Sequence, residues 1–218
     1  MNELLTAQAK DFLARVEVAQ LRPAQEKAVS AGVLRGESVL VCTPTASGKT
    51  LVAELAMLEA VAKDKKALYV VPLKALGSEK YRSFSERLGC RVALSVSDFD
   101  SSDTRLGEFD VIIATAEKLD SLLRHHAPWI SRVGCVVVDE IHLLNDASRG
   151  PTLEVLLTML RRLIKPQVVG LSATIGNPQE LANWLGATLV EDDWRPVRLD
   201  KGVLVGDVLS FPYKQDDE

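Results

Sequence analysis

The sequence predicts an α/β fold, a wound parallel sheet with helices on both faces. Three observations predict it: short β-branched runs, longer amphipathic segments alternating with them, and a glycine-lysine turn between the first run and the helix after it. The N-terminal "MNELLTAQAKDFLARVEVAQ" is amphipathic and carries acids, unlike a secretory signal. A helical pattern then covers 23–34, followed by the strand "ESVLVCT" and a helix over 48–62. "ALYVVP" and the helix 74–88 come next, then "RVALSVS", "DVIIAT" and the helix 116–125. "CVVVDE", the helix 151–164, "QVVGLSAT", the helix 178–185 and a weaker "ATLVE" complete the alternation. The strands are continuous apolar runs, as expected where helices cover both faces. The helices open near Pro, Ser, Thr or Gly, and several close on Gly or Pro. Residues 192–218, with Pro, Gly and a strongly acidic end, break the pattern and read as a linker or hairpin.

Composition narrows the function classes. A chain of 218 residues at 47% hydrophobic content buries one sizeable core. The formal net charge of -4 comes from mixed acids and bases without a long like-charge run, so composition does not announce a nucleic-acid binder, although a local basic surface stays open. Cys42, Cys90 and Cys135 are an odd number at wide spacing, which suits buried thiols and a reducing, cytoplasmic setting better than disulfides or a metal site. No apolar stretch approaches the roughly 18 residues of a membrane span, and a soluble chain without a membrane partner is expected.

"VCTPTASGKT", residues 41–50, carries the first chemical signal. It follows a strand and precedes a helix, the context in which backbone N–H groups and the positive helix end cradle phosphate oxygens. Thr43, Pro44, Thr45, Ala46, Ser47 and Gly48 would line that cradle. Lys49 would reach the β- and γ-phosphates, Thr50 would place its hydroxyl on Mg²⁺, and Gly48 permits the close approach. The pattern GxxxxGK[ST] is met except at its first position, where Thr43 stands. "CVVVDEIH", residues 135–142, supplies the complement. Two acids after a buried apolar strand are costly unless a cation or water network occupies them. Asp139 suits the Mg²⁺ water shell, and Glu140 suits orienting and deprotonating an attacking water. ATP and Mg²⁺ are therefore the expected cofactors, with Lys49, Asp139 and Glu140 as catalytic residues.

With "SAT" at 172–174, these motifs resemble those of the superfamily 2 helicases, and "VPLKALGSEKY", "TAEKLDSLLR" and "LSATIGNPQELANWLGA" sharpen the resemblance to the Ski-type branch, most closely its archaeal DNA repair helicases. The resemblance implies a RecA-like P-loop NTPase fold over 1–191, the first of two motor domains, with 192–218 leading towards a second domain missing from this chain. It implies that Gln25 recognises the adenine edge, for which a side chain that both donates and accepts is suited. Leu21 stands where the family often has an aromatic, which leaves adenine stacking open. His142, Ser172 and Thr174 match residues that couple the ATP site to nucleic-acid movement. Pro72, Lys74 and Ala75 after one strand, Thr115 and Lys118 after another, and Arg149 with Gly150 match contacts to a single-stranded backbone, which carry no base information.

The resemblance thus implies an ATP-dependent 3′-to-5′ DNA helicase domain that acts on single-stranded or forked DNA in a prokaryotic, nucleoid-associated setting. An RNA helicase of the same branch and a nucleotide-gated binding module are the alternatives. No stretch here resembles the second domain's arginine motif, so the chain alone is expected to bind nucleotide and hydrolyse it slowly. Arg124, His125 and His126 lack Cys or acid partners at ligand spacing and read as a solvated helix end.

Overall fold

The computed structural model describes residues 3–96, 104–197, 202–206 and 208–210. Seven strands form one parallel sheet: β1 (Val39–Cys42), β2 (Lys66–Val71), β3 (Val92–Ser95), β4 (Val111–Thr115), β5 (Val133–Val138), β6 (Gln167–Ser172) and β7 (Thr188–Glu191). Their spatial order is β3-β4-β2-β5-β6-β1-β7, so β1 lies between β6 and β7, and β5 lies between β2 and β6. A separate antiparallel hairpin pairs β8 (Val203–Val205) with β9 (Val208–Ser210).

Period-2 alternation divides the strand side chains between two cores. Val39, Val41, Tyr69, Ile113, Val137 and Val169 face one side, under α1 (Ala7–Arg15), α2 (Pro23–Ser30), α3 (Lys49–Ala62) and α4 (Lys74–Arg87). Leu40, Leu68, Ile112, Val136 and Val168 face the other, under α5 (Ala116–Arg124), α6 (Gly150–Leu163) and α7 (Pro178–Leu185). Both faces are therefore covered, which is why the strands read as unbroken apolar runs.

α3 is buried all round from Leu51 to Ala60 because α1 and α2 cover its outer side. Its two buried acids are both partnered: Glu59 accepts from the Thr6 hydroxyl, and Glu54 accepts from Arg87 Nε and Nη2, each at 2.9 Å. Thr6 also caps α1 by accepting from the Ala9 N–H. The helix expected over 23–34 ends at Ser30, because Gly32 at φ 96 turns the chain into a 3₁₀ turn over Val33–Arg35. Residue 97, read with the third strand, and most of 198–218 lie outside the described residues. All three cysteines are free thiols, and burial pushes Cys135 up to about 12. No helix among the described residues is long and apolar enough to cross a membrane.

Candidate functional site

The carboxyl edge of the sheet is where the motifs meet, as the wound topology requires. The phosphate loop leaves β1 at Cys42 and enters α3 at Lys49. Two of its residues take left-handed backbone, Ala46 at φ 66 and Gly48 at φ 92. At Gly48 a Cβ would also lie 2.5 Å from Gln25 Nε2, so a side chain there would displace that amide. Thr43, where the general pattern has glycine, is fully buried and its hydroxyl lies 2.7 Å from that of Ser47. That bond ties the two ends of the loop, which gives the departure from the pattern a structural function. Lys49 Nζ donates to Thr43 O at 2.8 Å and Pro44 O at 3.2 Å. Burial lowers the Lys49 pKa from its ordinary value, while Glu140 and Asp139 oppose the shift.

Asp139 follows the last residue of β5, and its N–H donates to Val70 O of β2 at 2.9 Å. Both carboxylate oxygens are held: Oδ2 accepts from the Tyr69 hydroxyl at 2.7 Å, and Oδ1 accepts from the Glu140 N–H at 3.1 Å. Tyr69 is fully buried, packs edge-on against Phe84 with ring centroids 5.0 Å apart, and has its pKa raised well above normal by burial and by Asp139. Glu140 itself adopts φ 51, ψ 45, a conformation disfavoured for side chains with a Cβ. That turn carries its carboxylate out of the strand line, where Oε2 lies 3.3 Å from His142 Nδ1. His142 Nδ1 is also 3.5 Å from Ser172 Oγ, so the imidazole bridges the ends of β5 and β6. Thr174 is exposed on the loop after β6.

Gln25 is buried with its amide engaged at both ends: Oε1 accepts from the Arg22 N–H at 2.8 Å, and Nε2 donates to Gly48 O at 3.0 Å. The glutamine thus joins α2 to the phosphate loop. Thr50 Oγ1 accepts from Lys80 Nζ at 3.3 Å, a cation that no motif spacing marked.

On the nucleic-acid side, Pro72, Lys74 and Ala75 sit where β2 passes into α4, and Lys74 is exposed. Thr115 ends β4 and caps α5, accepting from the Lys118 N–H at 3.3 Å. Lys118 is only 6% exposed, whereas Lys74 is exposed and Arg149 half-buried. Asp146 fixes the Arg149 backbone by accepting its N–H at 2.9 Å, and its Oδ1 also accepts from the Ser148 N–H and hydroxyl. Those bonds depress the Asp146 carboxyl to about 2. Gly150 opens α6 where a Cβ would lie 2.1 Å from Leu144 O, so a side chain there would clash with the backbone. A small cleft lined by Pro72, Glu117, Asp139, Glu140 and Arg149 joins the acid pair to this side. Among the described residues, no group of three or more His, Cys, Asp or Glu is arranged to hold a metal.

A loop joining strand to helix with left-handed residues at its tip, a lysine at the helix start, and an acid pair two strands away in a wound parallel sheet define a P-loop nucleotide-binding domain. More particularly, residues 22–181 match the DEAD/DEAH box helicase family, and the chain belongs to that family. It is similar to the ATP-dependent DNA helicases Hel308 of Pyrococcus abyssi (53% identity over 197 residues, 89% of this chain and 27% of the relative) and Pyrobaculum calidifontis (56% over 196 residues, 89% and 28%). The chain therefore spans 27–28% of the length of these relatives. Among solved structures, the DUF1998 helicase MrfA bound to DNA and AMPPNP aligns at TM-score 0.75 with 28% identity, covering 88% of this chain and 30% of that one. Mycobacterium smegmatis helicase Lhr bound to ssDNA and AMP-PNP aligns at 0.72 with 30% identity, covering 86% and 28%. The RecA-like fold expected from the motifs agrees with these likenesses.

Proposed function

We propose that this chain is the first RecA-like motor domain of an ATP-dependent 3′-to-5′ DNA helicase, that it binds ATP and single-stranded or forked DNA, and that alone it hydrolyses ATP slowly. The observation that carries this is that Lys49 and Thr50 lie along the same sheet edge as Asp139 and Glu140, and that one cleft joins those two acids to Pro72 and Arg149. The names of the curated relatives and the DNA- and nucleotide-bound states of the solved ones support it. Lys49 is the group for the β- and γ-phosphates, and Gln25 has one amide hydrogen and one lone pair left for an adenine edge. Glu140, 41% exposed at its side chain and backed by His142, is placed to take a proton from water. Lys74 and Arg149 contribute phosphate contacts that weaken as salt rises.

The site also fits Mg²⁺, because Thr50 Oγ1 and the Asp139 carboxylate are hard oxygen donors of the kind that ion takes. Bound there with ATP, it would neutralise charge developing on the phosphates. Tyr69 orients the carboxylate that would hold it. Tyr69→Phe keeps the packing on Phe84 and removes only the O–H donor. It is expected to raise the Mg²⁺ concentration needed for half-maximal nucleotide binding roughly tenfold. A Mg²⁺ titration of nucleotide affinity, read beside the melting temperature, checks this.

The proposed function is tested by phosphate release from ATP by this chain alone, with and without single-stranded DNA, against Glu140→Gln as baseline. An arginine supplied from another domain is worth about 10³–10⁵ in rate, so release barely above baseline alongside measurable Mg-ATP binding is expected. Rapid DNA-stimulated turnover would overturn the half-site reading. A wide preference for single-stranded RNA over DNA, lost in Lys74→Ala and Arg149→Ala, would move the substrate to RNA.

A further inference from the structure

Strand order decides which way a nucleotide lies in this site. β1 feeds the phosphate loop, and the acid pair stands on one side of it, beyond β6 at the end of β5. A γ-phosphate held between Lys49 and that pair points toward β5. The sugar and base then leave on the opposite side, towards β7 and the helix α2 that packs against it.

The chain leaving β7 is fastened on that side. Lys27 of α2 donates to Glu191 O at 2.8 Å and pairs with Asp192 Oδ2 at 2.9 Å, and Asp192 Oδ1 accepts the Trp194 N–H at 2.8 Å. This turn sets the Trp194 ring against Arg22, whose Cζ lies 5.3 Å from the ring centroid. The same Arg22 guanidinium donates through Nη1 to Ala46 O at the tip of the phosphate loop, 2.8 Å away. One side chain therefore touches both the loop and the indole. Trp194 nevertheless remains 38% exposed. Gln25 has half its hydrogen-bonding capacity spent on Arg22 N and Gly48 O, so a stacking partner would complement its remaining edge contact.

We infer that Trp194, backed by Arg22, is the stacking surface for the base of the bound nucleotide, supplied from the segment that follows β7. Indole offers the largest aromatic face of any side chain, and stacking on an aromatic tolerates any base while favouring the larger purines. The inference rests on the ATP-binding reading. It adds a residue to the site, and it makes the turn at 192–194 a part of that site.

The test is calorimetric titration of this chain, Trp194→Phe and Trp194→Ala with Mg-ATP and with Mg-tripolyphosphate, which carries no base. Trp194→Ala is expected to weaken ATP binding roughly tenfold or more while leaving tripolyphosphate within about twofold, and Trp194→Phe to retain most of the ATP affinity. Unchanged ATP affinity in Trp194→Ala would overturn the inference, as would equal losses for both ligands, which would mean that the turn only props the phosphate loop. A native chain that binds tripolyphosphate and ATP equally well would overturn it too, with the phosphate site left standing. A native chain that binds neither ligand would remove the ATP reading itself.

Discussion

Lys49→Ala is expected to weaken Mg-ATP binding roughly a hundredfold or more, with little change in melting temperature. The ammonium is half-buried and donates to the loop carbonyls of Thr43 and Pro44, so phosphate oxygens would replace partners of modest strength with charged ones. Its lowered pKa marks a charge held where burial disfavours it, which is the state a polyanion relieves. Removing such a group costs the fold little, because a desolvated charge disappears along with its hydrogen bonds. Calorimetric titration beside a thermal melt separates the two effects. Retained affinity would show that the loop N–H groups alone hold the phosphates.

Arg87→Ala is expected to show the reverse, a large loss of stability without direct contact to the loop. Glu54 has a side chain only 2% exposed, and Arg87 grips both its oxygens. Leaving a buried carboxylate without its partner costs on the order of 3–5 kcal/mol. Burial already raises the Glu54 pKa above 4.5, with Arg87 and then Lys80 opposing the shift, so the variant raises it further. A carboxyl with a raised folded-state pKa binds more protons folded than unfolded between the two pKa values, so stability falls as pH rises through that window. The deficit of Arg87→Ala is therefore smallest on the acid side and grows towards neutral pH, and Glu54→Gln in the same chain should recover much of it. Denaturant melts at acid and neutral pH check this; an equal deficit at both would mean that Arg87 acts through packing alone.

Much of the fold was legible because burial on both faces leaves a strong mark: six strands read as apolar runs, the edge strand β7 gave only a weaker one, and six helices stood out around them. α1 was harder to separate because its apolar residues Ala9, Phe12 and Leu13 lie in a segment that is amphipathic from its first residues. The phosphate loop and the acid pair were legible for a different reason. Their chemistry demands particular residue types at strand ends, and those ends are easy to find. Thr115 and Lys118 carry a less distinctive mark, since a threonine at a strand end serves equally as a helix cap, and the lysine that ends "TAEK" is buried. Tyr69, Lys80 and Trp194 were not legible at all. Tyr69 looks like one more strand residue, and Lys80 and Trp194 meet Thr50 and Arg22 only through the fold, across separations that no local pattern encodes.

The left-handed backbone at Glu140 has a consequence for how this chain changes over generations. A residue with a Cβ held there costs roughly 1–2 kcal/mol relative to glycine. Drift under selection for stability alone would carry the position to glycine. On the proposed role of Glu140 in activating water, function offsets that cost, so a lineage that lost ATP turnover would have a thermodynamic reason to lose this residue.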